Sequence, residues 1–302
     1  MSDQALTSSR VVSLEAIAEQ QSRGTERRRI WRRFKRYRPA LVGLCVIGLL
    51  FILAVFAPLI APYPPEEINT PLRGAGPSAD HWLGNDDIGR DILSRIIYGS
   101  RIALIVGLGA TAIAVTIGVT VGATAGYFGG RVDFLLSRLV DTLMSFPLLA
   151  LLLTLSAVFG PSLRNVVVVI GLTVWASYAR LVRAEVLSLR ERDFILAARA
   201  SGADDRRIIF RHIVPNALGP VIVIASLAIG SIIILESALS FLGLGVSRPT
   251  ASWGTMLSDG REFIRNYPHI AIAPGIAITI TVLSFNLIGD GLRDALDPRQ
   301  RE

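Results

Sequence analysis

Residues 212–235 read HIVPNALGPVIVIASLAIGSIIIL, a run without Asp, Glu, Lys or Arg. An α-helix needs about 20 predominantly apolar residues to cross a bilayer, and this run supplies them. Further uncharged runs cover 39–65, 102–130, 142–163, 165–179 and 266–289. The run at 165–179 is short, but it extends through Leu181, Val182 and Val186 if Arg180 and Arg183 snorkel, with apolar stems along the span and charged heads toward water. Hydrophobic residues make up 51% of the chain and charged residues only 18%, with a mean hydropathy of +0.52. Soluble domains do not have this balance. Six spans are predicted, hence an all-α membrane protein with six transmembrane helices.

Six crossings place both termini on one side, and the basic residues say which. Residues 1–40 hold ten Lys and Arg, 131–138 two, 180–211 eight and the C-terminal tail three, against eight on the opposite face. Basic residues accumulate on the cytoplasmic side, so both termini and the 180–211 loop are expected there. The net charge of +7 then reflects topology and contact with anionic lipid. Nucleic-acid binding is not expected, because the arginines flank apolar spans instead of lining a soluble face with aromatics. The tract RRRIWRRFKRYR (Arg27–Arg38) precedes Leu41–Ile60, which is too long for the apolar core of a cleaved signal and reads as an anchor.

Several chemistries are absent from the sequence. Cys45 stands alone inside the first span, which rules out an intrachain disulfide and CxxC metal chemistry. His81, His212 and His269 fall in separate loops without zinc-type spacing. The acidic group Asp80, His81, Asp86, Asp87 and Asp91 reads as a capped, solvated turn rather than a metal site. The one lysine, Lys35, lies between Phe34 and Arg36, so no phosphate-binding loop exists. GYFGG (Gly126–Gly130) abuts a span and reads as a helix end. Neither a nucleophile elbow nor HExxH occurs. The chain is therefore expected to be neither an enzyme nor a holder of cofactor or metal.

Within the spans, Gly118, Gly122 and Gly126 recur every four residues, a stripe on which helix backbones approach closely. Pro147 predicts a kink in the third span; the carbonyls it frees are tolerated only beside protein or a water-filled cavity, which hints at a pathway. Asp141 opens that span at its cytoplasmic end and is expected to be solvated. Glu236, at the far end of the fifth span, has two readings: a buried or lumen-facing group in a substrate pathway, or a helix-end acid reaching the interface. Between the first two spans, HWLGNDDIGRDILSRIIYGSRIAL sets Ile92, Leu93, Ile96 and Ile97 against Arg90, Asp91, Ser94 and Arg95. That pattern predicts a short amphipathic helix on the membrane surface or on neighbouring spans, capped by Asp86 or Asp87.

Just before the fifth span, residues 196–215 read LAARASGADDRRIIFRHIVP. Glu191–Ser201 is helix-compatible, and Gly202 is placed to end it in left-handed geometry. Asp204 then caps a second short helix, Asp205 to Ile213, which Pro215 is expected to keep from running smoothly into the fifth span. Ile209 and Ile213 stack one turn apart, flanked by Ile208 and Phe210. A long, charged, ordered loop facing one compartment predicts that another protein docks on it.

This segment resembles the cytoplasmic coupling loop of binding-protein-dependent ABC importer permeases, patterned Glu-Ala-Ala, three residues, Gly, nine residues, Ile-x-Leu-Pro. Ala197, Ala198, Gly202 and Pro215 match it, and Val214 replaces Leu conservatively. Leu196 stands in place of the Glu and His212 in place of the Ile, so the carboxylate of the family's ion pair with its ATPase is missing here. HWLGNDDIGRDILSRIIYGSR, GYFGG, LESALSFLGLG, WGTMLSDG and FNLIGDGLRDALDP extend the likeness to the second permease subunit of dipeptide and oligopeptide importers; nickel and glutathione importers share these blocks.

The resemblance implies the type I ABC importer permease fold and a division of the chain into four parts. These are a basic cytoplasmic segment (1–38), a first span with its outer segment (39–100), a permease core (101–292, with the coupling loop at about 190–216) and a cytoplasmic tail (293–302). It implies as partners a homologous second permease, two cytoplasmic ATPase subunits or domains carrying ATP and Mg, and an extracytoplasmic solute-binding protein. ATP closure would act through Ala197–Pro215, with Gly202 giving the bend, Asp204 the cap, and Ile208, Ile209 and Phe210 inserting into an ATPase groove. Two rivals remain at this stage: an ATP-independent secondary transporter or channel, for which several intramembrane charges and an inverted repeat are expected, and a non-transporting scaffold.

Overall fold

A computed structural model describes residues 31–296; the basic tract before Trp31 and the tail after Leu296 lie outside it. Every regular element among the described residues is helical, save an isolated bridge between Asn85 and Asp91. We label the main helices α1 (Arg38–Val55), α2 (Ile92–Phe128), α3 (Gly130–Ser145), α4 (Leu148–Phe159), α5 (Leu163–Leu189), α6 (Asp193–Ala200), α7 (Val214–Phe241), α8 (Trp253–Gly260) and α9 (His269–Leu296). Among the described residues five helices are long and apolar enough to cross a membrane: α1, α2, α5, α9, and the run Asp205–Phe241 that contains α7.

The sixth crossing differs from expectation. The 142–163 run does not form one kinked helix: α3 and α4 meet at 88°. Phe146 is extended there, with ψ 140°, because the ring of Pro147 excludes its predecessor from helical geometry. At 12 residues, α4 spans only about 18 Å, so α3 and α4 make one crossing only if taken together. Residues 131–138, expected as a loop, belong to α3.

The bundle is centred on α2 and α5. A Cβ at Gly118 would lie 2.4 Å from Cβ of Tyr178, at Gly122 2.5 Å from the Ala179 carbonyl oxygen, and at Gly126 2.9 Å from that of Arg183. Side chains are excluded at all three positions, and the two backbones touch. Val166, Val169 and Ile170 of α5 pack with Ile102, Val106 and Ala110 of α2 in a buried cluster farther along.

Beyond α1, the segment expected on the membrane surface is not a separate helix. It is the first turns of α2, which runs unbroken through 37 residues. Ile92, Ile97, Ser94 and Arg95 are all buried, so both faces are covered by protein. Asp91 caps the helix, not Asp86 or Asp87: its carboxylate accepts from the Ser94 amide at 2.8 Å and from His81 Nδ1 at 2.9 Å. Asp86 instead accepts from Arg90 Nε at 2.6 Å, and Arg90 reaches Asp259 of α8 at 3.2 Å. Arg95, 2% exposed, lies 3.5 Å from Asp86 and 4.0 Å from Asp259, while Arg248 closes on Asp259 from the far side. Burial, then the neighbouring Asp86 and Asp259, pushes the Asp87 carboxyl above the usual carboxylate range, opposed by Arg90. The expected solvated turn is thus a buried ionic lattice that ties the start of α2 to α8. Its partner Asp259 lies 169 residues from Arg90, beyond the reach of any local pattern.

Two outcomes are expected. Gly122→Leu drives a side chain into the α5 backbone; overpacking of this kind costs about 1–3 kcal/mol or more, seen as loss of monodisperse complex in size-exclusion chromatography. Asp259→Asn leaves Arg90 and Arg95 with Asp86 as the one carboxylate they share, and breaking a buried pair costs about 3–5 kcal/mol. A fall in thermal melting temperature larger than that of Arg248→Gln at the exposed rim checks it.

Candidate coupling site

The end of the bundle where α2 finishes and α5 leaves carries the loop singled out in the sequence. After α5 the chain turns at Arg190–Arg192 into α6, whose end is closed by two backbone bonds: the Gly202 amide donates to Arg199 at 3.0 Å and the Ala203 amide to Ala198 at 3.1 Å. That is a Schellman closure. Gly202 sits at φ +79° with open space around it, so a side chain there would meet backbone strain rather than a clash.

Asp204 takes the extended position expected of a cap, but its side chain makes no capping hydrogen bond. The neighbouring carboxylate is the one held. Tyr127, at the last turn of α2, donates its hydroxyl to Asp205 Oδ1 at 2.6 Å, and the Arg199 guanidinium lies 5.8 Å above the tyrosine ring. Two further contacts fix the root of the loop. Arg190 donates to the Gly126 carbonyl at 3.2 Å. Arg183 binds both carboxylate oxygens of Asp133 on α3, with Nη2 at 2.7 Å from Oδ2. Sequence reasoning missed Tyr127, Arg199 and Asp205 as a group; a tyrosine ending one apolar span and an aspartate 78 residues later give no shared signal.

Pro215 does not break the chain from the fifth span. Residues Asp205–Arg207 are α-helical, Ile208–Ile213 form a π-helical turn, and α7 follows directly. The wider turn, closed by the Val214 amide on the Ile209 carbonyl, absorbs the proline ring and its missing donor. The Asn216 side chain donates to the His212 carbonyl.

The apolar residues divide by burial. Ile208 and Ile213 are fully buried with Ile195, Val182 and Val186, so Ile208 is not available for insertion into a partner: its side chain is what seats the loop on α5. Ile209 packs partly against the same cluster. Phe210 is 72% exposed, and Phe194 and Leu196 are also exposed. Ala197 is exposed and Ala198 half-buried.

The two pathway candidates lie elsewhere. Pro147 stands exposed at the 88° bend. Glu236 is only 2% exposed, accepting from Ser240 Oγ at 2.7 Å and Ser237 Oγ at 3.4 Å. It is enclosed by serines of its own helix and by Ser252 just before α8, which removes the reading of a side chain reaching the interface. Among the described residues no group of three or more His, Cys, Asp or Glu is arranged to hold a metal.

Residues 114–302 match the family of binding-protein-dependent transport system inner membrane components. The chain belongs to this family. Residues 25–77 of the permease also match the N-terminal transmembrane domain of oligopeptide transport permease C. It is 46% identical over 274 residues to a dipeptide transport system permease protein of Alkalihalophilus pseudofirmus, covering 91% of this chain and 90% of that protein. Identity to an oligopeptide transport system permease protein of Bacillus subtilis is 41%, over 89% of this chain and 88% of that one. A glutathione transport system permease protein of Escherichia coli is 43% identical, over 89% of each. In fold, the permease is similar to the crystal structure of an amino acid ABC transporter with histidines, with a TM-score of 0.51 and 17% identity over 66% of this chain and 92% of that one. The permease is a membrane transport component, not the subunit that consumes nucleotide.

Tyr127→Phe deletes one hydrogen bond to a carboxylate, a loss of about 1.5 kcal/mol and so roughly tenfold in local opening. Amide hydrogen exchange across 193–207 is expected to speed up by that factor while α2 and α5 keep their protection.

Proposed function

We propose that this permease forms half of the translocation pathway of an ATP-driven importer for dipeptides and oligopeptides. Its partners are a homologous second permease, two ATPase subunits that carry ATP and Mg, and a solute-binding protein on the opposite side of the membrane. The loop end faces the cytoplasm together with both termini, in keeping with the basic residues gathered there. Relatives named for dipeptide, oligopeptide and glutathione transport match at similar identity, and all three cargoes are peptides.

One observation carries the coupling role. The α6 unit is seated rigidly by Ile195, Ile208 and the Tyr127–Asp205 bond, yet leaves Phe194, Leu196 and Phe210 bare. An apolar side chain such as Phe210 is stabilised by about 1.5–3 kcal/mol when a partner groove buries it. Leu196, where the family pattern has a carboxylate, makes this contact apolar as well. In this arrangement Gly202, with Ala197 and Ala198, keeps the turn compact, and Pro215 and the π-helical turn pass the displacement of α6 into α7. ATP-driven closure of the ATPases pushes on α6, the pathway opens to the binding protein, and hydrolysis resets it.

The test is reconstitution with the ATPases and the binding protein, followed by uptake of a radiolabelled dipeptide. Phe210→Asp is expected to weaken ATPase co-purification at least tenfold. Gly202→Val is expected to abolish uptake while assembly remains largely intact. Uptake that persists without ATPase subunits overturns the reading in favour of an ATP-independent transporter.

A further inference from the structure

The helix faces that suit lipid are easy to find. On α9, Ile272, Ile276, Ile280 and Leu283 are exposed, and on α1, Val42, Leu49, Ile52 and Val55. One face of α5 is unlike these: its exposed residues toward the loop end are Ser177, Arg180, Ala184 and Ser188. Arg180 lies about 14 Å, nine residues, before the end of the helix, directly after the uncharged run 165–179. Its Nη2 pairs with Asp141 Oδ1 of α3 at 2.9 Å, and the two side chains are 54% and 56% exposed. Charges that flank a span turn toward protein or water, not lipid.

A second observation points the same way. The Asp141–Arg180 pair lines a cavity of about 240 Å³ with Leu136, Ser137 and Val140. Next to it, under the bend between α3 and α4, lies a hollow of about 150 Å³ bordered by Met144, Phe146, Thr173 and Ser177. A broken helix is tolerated at membrane depth only where it meets protein or lines water. The charge pair and the break therefore mark one concave face, on which a few polar groups stand among apolar ones.

We propose that Asp141 and Arg180 form a subsite for the charged termini of the peptide cargo; this rests on the peptide-importer reading above. In the empty carrier the two side chains neutralise each other. An exposed ion pair holds together only weakly, so a zwitterion exchanges into it, with its ammonium on Asp141 and its carboxylate on the guanidinium of Arg180, where two parallel hydrogen bonds are available. Opposite charges already in place spare the carrier an unpaired ion in either state. The neighbouring Arg183–Asp133 pair differs: it is bidentate and less exposed, and it braces α3 on α5.

The experiment uses the whole complex with its binding protein in proteoliposomes, with a radiolabelled dipeptide and the same dipeptide amidated at its C-terminus. Arg180→Gln is expected to lower uptake of the free dipeptide at least tenfold and to change uptake of the amide less than twofold. Binding-protein-stimulated ATP hydrolysis and assembly are expected to be unchanged. Asp141→Asn combined with Arg180→Gln removes both charges and leaves no lone ion. If the pair is merely structural, this double variant regains wild-type uptake and the proposal is overturned. Equal losses for free and amidated cargo overturn it too, as do losses that disappear when phosphatidylcholine replaces phosphatidylethanolamine, since the ligand is then a lipid headgroup. A wild-type complex that imports no peptide overturns the functional reading itself and this inference with it; normal wild-type uptake beside unaffected variants overturns the inference alone.

Discussion

The direct contact of α2 with α5 is the constraint on which the rest of the architecture depends. At Gly118, Gly122 and Gly126 the facing atoms leave no space for a Cβ. Lipid tails are as apolar as leucine, so helices in a bilayer associate through close packing and hydrogen bonds rather than by escaping water. Three glycines at this spacing bring two backbones within reach of each other's carbonyls. The same stripe ends one residue before Tyr127 and opposite Arg183, so the contact also fixes where the loop can be tied down. The Arg190–Gly126 and Tyr127–Asp205 bonds are measured from that frame. The α6 unit thereby rests on a rigid support at α2, and the loop after it continues directly into α7.

The opposite end of the bundle is held by charge. Asp86, Arg90, Arg95 and Asp259 lie almost wholly out of solvent. Taking such ions from water costs several kcal/mol each, and only close pairing offsets it. The geometry supplies that pairing, with Trp253 pinned beside it by a hydrogen bond to the Ile96 carbonyl at 3.1 Å and packed over Gly99. The start of α2, the segment before it and α8 are consequently one body. The bend between α3 and α4 is unlike either end, since its neighbouring charges are exposed and it borders open hollows.

Much of this was legible along the chain because the rules involved are local. A bilayer demands a length of apolar sequence, and the long helices lie on the uncharged runs, with α5 extending past its short one through Arg180 and Arg183. A left-handed residue demands glycine, and Gly202 sits where α6 must close. The errors share a cause as well. The pattern Ile92, Leu93, Ile96, Ile97 looked like a surface helix because Arg95 and Ser94 opposite it looked solvated; Asp259 and α8, distant in sequence, bury them. Asp204 fits a cap by position, but nothing local shows that Asp205 is the carboxylate with a partner. Pro215 was given its usual effect, and a π-helical turn absorbed it. Ile208 and Phe210 are two residues apart on one amphipathic turn, and only packing against Ile195 and Val186 buries the first and leaves the second bare.

By itself, the amino-acid sequence determined how many segments can enter a membrane, where their basic flanks gather and where the loop must turn. Those properties follow from hydrophobic length, charge and backbone chirality within a few residues. The tertiary structure alone decided which ions pair, that the third crossing is broken at a right angle, and which side of each helix meets protein. Coulombic pairing and side-chain exclusion act over a few ångströms, between groups that lie scores of residues apart along the chain.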